Sequence, residues 1–238
     1  MIREHFEFRQ TIATILADDP RHVEAAKAGM MLARKEVERQ IAADPYFSAT
    51  FEPYFPETTG RTPDRMVRAA SSAGVGPMAA VAGAIARAGV EAMVEAGAAF
   101  GLVDNGGDIA LVSDRDIRIG IYAGGSPLSG RAAFLLPPAD EILGICTSSA
   151  TVGPSISLGV ADAVTVFSPD VALADAWATA ICNRITRDDR SVLDEIAGTE
   201  VRGVLALIDD MVIRRGDLPR IVPARVDERL ITAGRRPV

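Results

Sequence analysis

The apolar residues of this chain recur with two different periods, and each change of period marks an element. Near the N-terminus, Phe6 and Phe8 alternate with polar neighbours, which predicts a strand over residues 5–16. Two aspartates and Pro20 then favour a helix start, because a carboxylate caps the first turn and proline fits its first position. Apolar residues follow at spacings of three and four and predict a helix that ends at Asp44: Val23, Ala26, Met30, Ala33, Val37 and Ile41.

The rest of the chain mixes short strands with separate helices. Prolines make residues 45–61 an irregular excursion, and the residues from 216 to 238 are interpreted as an extended arm. Helices are predicted over residues 64–73, 77–98, 169–183 and 188–196. Strands are predicted over residues 100–104, 109–112, 117–122, 131–136, 141–147, 163–167, 201–208 and 211–214. This arrangement favours an α+β fold in one domain, residues 1–238, over a doubly wound parallel sheet.

Composition and charge narrow the class of protein. A formal net charge of −7 argues against nucleic-acid binding, which needs clustered basic residues. In the most apolar helix, Arg87, Glu91 and Glu95 recur at helical spacing, which predicts a solvated face and no membrane span. The charged N-terminal segment lacks the apolar core of a signal peptide, so we expect a cytoplasmic protein. Two cysteines are too few for a disulfide framework. The alanine-rich composition is also compatible with a homodimer.

Two residues of the helix at 169–183 form a candidate metal site. Asp175 and Thr179 are four residues apart and therefore share one helical face. A carboxylate and a hydroxyl are ligands that a hard cation such as Mg²⁺ accepts. The alternative is structural, with Asp175 capping a helix or forming a salt bridge and Thr179 bonding within its own helix.

A glycine turn forms a candidate binding site for a nucleotide. Asn105, Gly106, Gly107 and Asp108 predict a tight turn whose backbone N–H groups could face a phosphate. A plain hairpin turn without a ligand is the alternative. Asp104 and Asp108 flank the glycines, and two carboxylates would repel bare phosphate unless a cation lies between them.

Cys146 is the candidate nucleophile. It ends an apolar strand and precedes hydroxyl residues that could stabilise a thiolate and lower the pKa of the thiol. The alternative is a buried cysteine that acts as a small hydrophobic residue, which is also what we expect of Cys182. Trp177 is expected to pack, within the chain or against a second subunit. The hydroxyl residues near Cys146 are Thr147, Ser148, Ser149, Ser155 and Ser157.

Three segments resemble the ApbE family, flavin transferases that move FMN from FAD onto a protein threonine. The segment GAIARAGVEAMVEAGAAFGLVDNGGDIAL, from Gly83, resembles that family's helix, strand and Gly-Gly-Asp turn. The segment CTSSA, from Cys146, resembles its Thr-Ser-Gly loop. The segment AVTVFSPDVALADAWATAIC, from Ala163, resembles its last strand and the helix signature that follows. The remaining parts resemble a smaller cytoplasmic branch related to ApbE.

The resemblance implies a T-fold-like α+β architecture in which antiparallel sheets pack with helices. It also implies FAD or FMN as ligand, Mg²⁺ at Asp175 and Thr179, and a flavin-nucleotide cleft lined by residues 105–108 and 147–149. One ApbE feature is missing. The family carries a His-x-x-Asp-Pro-x-Thr-Gly stretch before its last strand, whereas residues 150–162 contain no histidine. This departure argues against true FMN transfer.

Two functional hypotheses follow. The first is a flavin- or nucleotide-binding protein with a Mg²⁺-dependent transferase site that acts on an acceptor protein. The second is a sulfur carrier in sulfur assimilation, in which Cys146 holds a persulfide and passes it to a partner enzyme. A protein that kept the fold for binding or assembly and lost the chemistry is a third alternative.

Overall fold

The computed structural model describes residues 1–150, 159–227 and 230–232, and the structural statements below refer to these residues. Its strands in chain order are β1 (Ile2–Phe8), β2 (Thr11–Ala17), β3 (Gly101–Asn105), β4 (Asp108–Ser113), β5 (Ile117–Gly120), β6 (Ala132–Leu136), β7 (Ala139–Ser148), β8 (Ala163–Ser168), β9 (Gly203–Ile208), β10 (Met211–Gly216) and β11 (Arg220–Pro223). Its helices are α1 (Pro20–Ala43), α2 (Tyr46–Ala49), α3 (Arg61–Ala73), α4 (Val81–Glu95) and α5 (Val171–Arg184).

Eight strands form one antiparallel sheet in the order β1-β2-β3-β4-β7-β8-β9-β10. A second antiparallel sheet of three strands has the order β11-β6-β5. The predicted α+β class with antiparallel sheets and helices is therefore confirmed.

The central strands of the large sheet are buried on both faces. Helices cover one face, where alternate strand residues such as Val103, Ala110 and Val166 join the core with α1, α3, α4 and α5. The small sheet covers the other face, where Leu102, Leu111 and the intervening strand residues pack against it. Each central strand thus sends one set of side chains to the helices and the alternate set to the second sheet, which decides where polar residues of the site can point.

The N-terminal prediction was wrong in one respect. Residues 5–16 are not one strand, because Arg9 and Gln10 turn the chain between β1 and β2. Arg9 adopts a φ of 54°, which an alternating apolar pattern cannot reveal. The helix start was confirmed, since Asp19 caps α1 by accepting a hydrogen bond of 2.8 Å from the backbone N–H of Arg21.

Four other segments also differ from the predictions. The arm expected after residue 216 contains β11, which pairs with β6 and completes the small sheet. The excursion at 45–61 contains the short helix α2, whereas residues 188–196 hold only a single 3₁₀ turn, Ser191–Leu193. The segment Pro77–Glu95 consists of a 3₁₀ turn followed by α4.

By length and composition, Pro77–Glu95 could also cross a membrane, with a mean hydropathy of 1.3. Half of this segment is buried inside the described fold, where α4 packs against α1 and β3. Such a helix is weak evidence for a membrane span, because the core helices of globular proteins meet the same criterion.

The predicted solvated face of α4 is an ion-pair network instead. Glu91 accepts hydrogen bonds of 2.9 and 2.6 Å from Arg65 of α3 and one of 3.0 Å from Arg87. Arg87 also donates to the Pro169 carbonyl just before α5, at 2.9 Å. Burial raises the pKa of Glu91, but the hydrogen bonds from Arg65 and Arg87 outweigh it and hold this pKa below its ordinary value. Only Glu95 faces solvent, as expected.

Replacing Glu91 with alanine should destabilise the fold by about 1–3 kcal/mol, because two partly buried arginines lose their acceptor. The matched control is Glu95→Ala on the exposed side of the same helix, which should change the free energy of unfolding by less than about 0.5 kcal/mol. Urea denaturation followed by circular dichroism measures both. Equal effects of the two substitutions would show that the network contributes nothing specific.

Candidate active site

Four elements meet at one end of the helix-covered face of the large sheet. They are the start of α4, the middle of α5, the β3–β4 turn and the last residues of β7. The sequence predicted three of them, through the glycine turn, Cys146 and Asp175. The fourth, the start of α4, was not predicted.

Asp175 caps the first turn of α4 from outside that helix. Its Oδ2 accepts a hydrogen bond of 2.8 Å from the backbone N–H of Gly83, and the N–H of Ala82 also donates to the carboxyl group. The first N–H groups of a helix have no partner within the helix, and the helix dipole favours an anion there. The structural alternative for Asp175, a helix cap, is therefore confirmed.

Gly83 makes this contact possible because it has no side chain. A Cβ atom at this position would lie 2.6 Å from the carbonyl oxygen of Val171 and 2.8 Å from Cβ of Asp175. Any larger residue would push α4 and α5 apart and break the cap. The glycine-rich composition of this helix predicted a close approach, but it did not identify the partner.

The glycine turn has the predicted geometry. Asn105 and Asp108 pair across the hairpin, and Gly106 and Gly107 adopt φ values of 73° and 105°. Two successive positive φ values are typical of a type I′ turn. The side chain of Asn105 donates to the carbonyl of Ala82 at 3.0 Å, which ties the turn to the start of α4.

Asp104 and Asp108 lie on opposite faces of the sheet. Since Asp108 pairs with Asn105, it shares the helix-covered face, and the preceding Asp104 points to the other. Asp104 accepts hydrogen bonds from the backbone N–H of Gly107 at 2.8 Å and from the hydroxyl of Thr232 at 2.5 Å. The expectation that both carboxylates flank one ligand is therefore wrong, because the pleat separates them.

Asp108 and Cys146 are directly opposite each other on β4 and β7, and their side chains form a hydrogen bond. Burial raises the pKa of Asp108 well above its ordinary value, and the negative charges of Asp175 and Asp104 raise it further. Burial likewise raises the pKa of Asp175 to about 7, against the opposing effect of the N–H groups of Gly83 and Ala82. The two neighbouring carboxyl groups thus share a site that disfavours two negative charges.

The expectation of a low thiol pKa at Cys146 was wrong. Its side chain is fully buried, and its Sγ lies 3.4 Å from the carbonyl oxygen of Val171, to which the thiol donates. Burial raises the pKa of this thiol well above its ordinary value, and the charges of Asp108 and Asp175 raise it further. The hydroxyls that follow do not offset these effects. Such a thiol does not fit the predicted nucleophile or persulfide carrier, which needs an accessible thiolate.

The remaining predicted residues do not all join this cluster. Thr147 faces the opposite side of β7, where its hydroxyl lies 2.9 Å from that of Thr165. Ser148 ends β7 on the helix-covered side, and Ser149 follows it. Thr179 lies one turn beyond Asp175 on α5 and is partly exposed. Ser155 and Ser157 lie outside the described residues.

The side chains of the site offer few donors for a metal ion. Within residues 1–150, 159–227 and 230–232, no three His, Cys, Asp or Glu side chains form a group that could hold a metal ion. The site offers two carboxyl groups and nearby hydroxyls, which suits Mg²⁺ only if a ligand supplies further oxygens.

Three groups were missed by sequence reasoning. The donors Ala82 and Gly83 act through backbone N–H groups, which leave no mark in the side-chain pattern. The third group is Thr232, whose hydroxyl lies 2.8 Å from that of Thr14 and also binds Asp104. The two expected packing residues, Trp177 and Cys182, are both buried in the core of this chain.

Comparison with known proteins places this chain in a family. Residues 3–213 match the family model described as AbpE bacteria. The chain is 78% identical over 234 residues to a UPF0280 protein of Methanoculleus marisnigri, which covers 98% of this chain and 96% of the relative. A UPF0280 protein of Methanosarcina acetivorans is 48% identical over 97% of this chain and 93% of its own length. The chain therefore belongs to this ApbE-like family.

Solved structures share the fold at low sequence identity. The apo flavinyl transferase ApbE of Pseudomonas stutzeri has a TM-score of 0.58 at 12% identity, over 98% of both chains. The ApbE protein of Thermotoga maritima has a TM-score of 0.52 at 13% identity, over 98% of this chain and all of the other. The expected ApbE-like architecture is confirmed.

The stability of the protein should fall as the pH rises from about 4 to about 7. In this window the folded chain keeps a proton on Asp175 that the unfolded chain, with a pKa near 3.8, has released. Asp175→Asn should flatten the dependence, because it removes this group and the charge that raises the pKa of Asp108. Chemical denaturation at several pH values measures the slope.

The matched control for this slope is Asp140→Asn, at an exposed position of β7. It should keep the wild-type dependence on pH. A wild-type curve that rises over the same window would contradict the assignment of a raised pKa to Asp175.

Both native thiols should resist labelling. Cys146 and Cys182 are fully buried, so Ellman's reagent should react only through rare opening of the fold. Two thiols should become reactive in denaturant. Val212→Cys provides a positive control, because Val212 is 40% exposed. Rapid modification of Cys146 in the native protein, located by mass spectrometry, would restore the reactive-thiol hypothesis.

Proposed function

We propose that this protein binds a flavin nucleotide together with Mg²⁺ at a site related to that of the ApbE transferases. The observation that carries the proposal is the pair of neighbouring carboxyl groups, the partly buried Asp108 and the buried Asp175, between the start of α4 and the end of β7. The fold shared with the flavinyl transferase ApbE of Pseudomonas stutzeri supports a flavin as the nucleotide.

The electrostatics of the pair support a cation. Burial raises the pKa of both Asp108 and Asp175, and the charge of Asp175 raises the pKa of Asp108 further. Asp175, with a pKa of about 7, is partly protonated at neutral pH. A divalent cation relieves that repulsion, and the two carboxylates then bind it while phosphate oxygens complete its coordination shell. Bound Mg²⁺ supplies charge neutralisation at the diphosphate of the nucleotide.

The surrounding residues have separate roles in the proposal. Gly83 and Asn105 keep the start of α4 and the glycine turn in place, the first through Asp175 and the second through Ala82. Thr179 and Ser148 provide hydroxyl groups near the proposed position of the cation. The backbone at Gly106 and Gly107 has no side chain to exclude a ligand that approaches the turn.

The sulfur-carrier hypothesis is not carried forward. The fully buried thiol with a raised pKa disagrees with it, and the relatives supply no support for it. True FMN transfer is not part of the proposal, because residues 150–162 lack the histidine of the ApbE motif.

FAD and Mg²⁺ together should raise the melting temperature of the wild-type protein. At a ligand concentration of about 100 times Kd, the stabilisation is about 2.7 kcal/mol, which corresponds to about 5–10 °C for a chain of this size. FAD with EDTA should give a clearly smaller shift. Differential scanning fluorimetry measures both shifts. The extrinsic dye should emit in the red, where flavin fluorescence does not interfere.

A matched pair of variants tests the location of this effect. Asp108→Asn should lose the Mg²⁺-dependent part of the shift while the fold persists, because an amide replaces a carboxyl group of the same shape whose charged form burial already disfavours. Asp104→Asn changes a carboxyl group on the opposite face of the same hairpin and should keep the full shift. The proposal fails if the wild type shows no shift with millimolar FAD and Mg²⁺, or if both variants respond alike.

A further inference from the structure

An apolar cavity of about 230 Å³ lies between the two sheets, on the face of the large sheet opposite to Asp108 and Cys146. Leu111 and Leu143 of the large sheet form its floor, and Leu136 of the small sheet faces them. Leu218, in the segment between β10 and β11, closes one side. The cavity lies near Ser113, at the end of β4 remote from the glycine turn.

The cavity has a preformed wall. The ring of Phe167 packs edge to face against Phe134, with ring centroids 4.9 Å apart, and both rings are almost fully buried. The backbone N–H of Arg202 donates to the Phe167 carbonyl at 2.7 Å, and the N–H of Asp217 donates to the Arg202 carbonyl at 2.7 Å. These hydrogen bonds fix the end of β8 and the segment that follows β10, and both border the opening of the cavity.

Ser113 is the polar residue of the cavity wall, but its hydroxyl needs no hydrogen bond from a ligand. Its hydroxyl donates to the carbonyl of Arg115 at 2.8 Å and accepts from the N–H of Arg115 at 3.2 Å. Its hydrogen bonds are therefore made within its own turn. An engineered apolar cavity of about 150 Å³ in another protein binds benzene, so this larger space can accept an apolar group of more than one ring.

Arg202 brings a positive charge to the opening. Its guanidinium is about half exposed and meets Glu141 only at 3.5 Å, and Glu141 is itself 78% exposed. A solvated pair at this distance holds the guanidinium weakly, so an anion can replace Glu141. Asp217 borders the same opening and is exposed, which opposes a ligand of high negative charge.

We propose that this cavity is a second ligand site, which binds a small molecule with an apolar body and a single anionic end. The apolar body lies between Leu111, Leu143 and Phe167, and the anionic group pairs with Arg202 at the opening. The site is separate from the carboxyl pair, because the large sheet lies between them.

Two dyes with the same apolar skeleton test the proposal on the full-length protein. Anilinonaphthalene sulfonate carries one negative charge, and phenylnaphthylamine is its neutral counterpart. Both should bind the native protein with increased fluorescence. Arg202→Gln should weaken the sulfonate about fivefold and leave the neutral dye unchanged, since only the rim charge is lost.

A second variant fills the cavity. Leu143→Phe should weaken both dyes about tenfold, because the added ring occupies the space of the apolar body. Arg214→Gln on β10 is the matched control for loss of an exposed arginine and should change neither affinity. Near-UV circular dichroism confirms that each variant keeps native packing.

The proposal is overturned if Leu143→Phe leaves both affinities unchanged, or if Arg202→Gln and Arg214→Gln act alike. If Leu143→Phe does not fold, the binding of the two dyes to Arg202→Gln decides the question. Neither result depends on flavin binding, so this site and the proposed flavin site can fail separately.

Discussion

The cap that Asp175 provides for α4 is the contact on which the candidate site depends. Through it, one carboxylate from α5 satisfies N–H groups that α4 cannot satisfy itself, and the absence of a side chain at Gly83 lets the two helices approach. Asn105 adds a second tie from the β3–β4 turn to the same helical turn. Together these contacts hold α4, α5 and the β3–β4 hairpin in fixed positions. The position of Asp108, at the start of β4, follows from them.

The same contact has an electrostatic consequence. Asp108 and Cys146 lie beside Asp175 in a site with little solvent, and each negative charge there disfavours the next. The raised pKa values that result favour the protonated forms, so the thiol of Cys146 does not fit the role of a nucleophile. A carboxyl pair of this kind is suited to a cation-dependent ligand, since metal binding replaces the protons. One group can therefore serve the fold as a cap and the proposed chemistry as a ligand, without a change of position.

Local signals predicted the elements well where the physics is local. The capping aspartate and Pro20 determined the start of α1, and two glycines after an asparagine determined the type I′ turn. The same local signals gave wrong predictions where contacts between distant parts of the chain determine the environment of a residue. Arg87 and Glu91 have the spacing of a solvated face, but α3 supplies Arg65 and turns that face into an ion-pair network. Cys146 has hydroxyl neighbours in sequence, but its environment in space is an apolar core with two acids.

The sequence by itself determined the α+β class, the resemblance to ApbE and three of the four segments that gather at the site, because turns, caps and periodicity are properties of short segments. Only the tertiary structure decided which side chains meet and in which protonation state. The pleat of β3 and β4 sends Asp104 and Asp108 to opposite faces, and the sheet pairing places Cys146 against Asp108. Burial then sets the pKa values of these groups. Burial and pairing arise from residues far apart in the chain, so no short segment carries them.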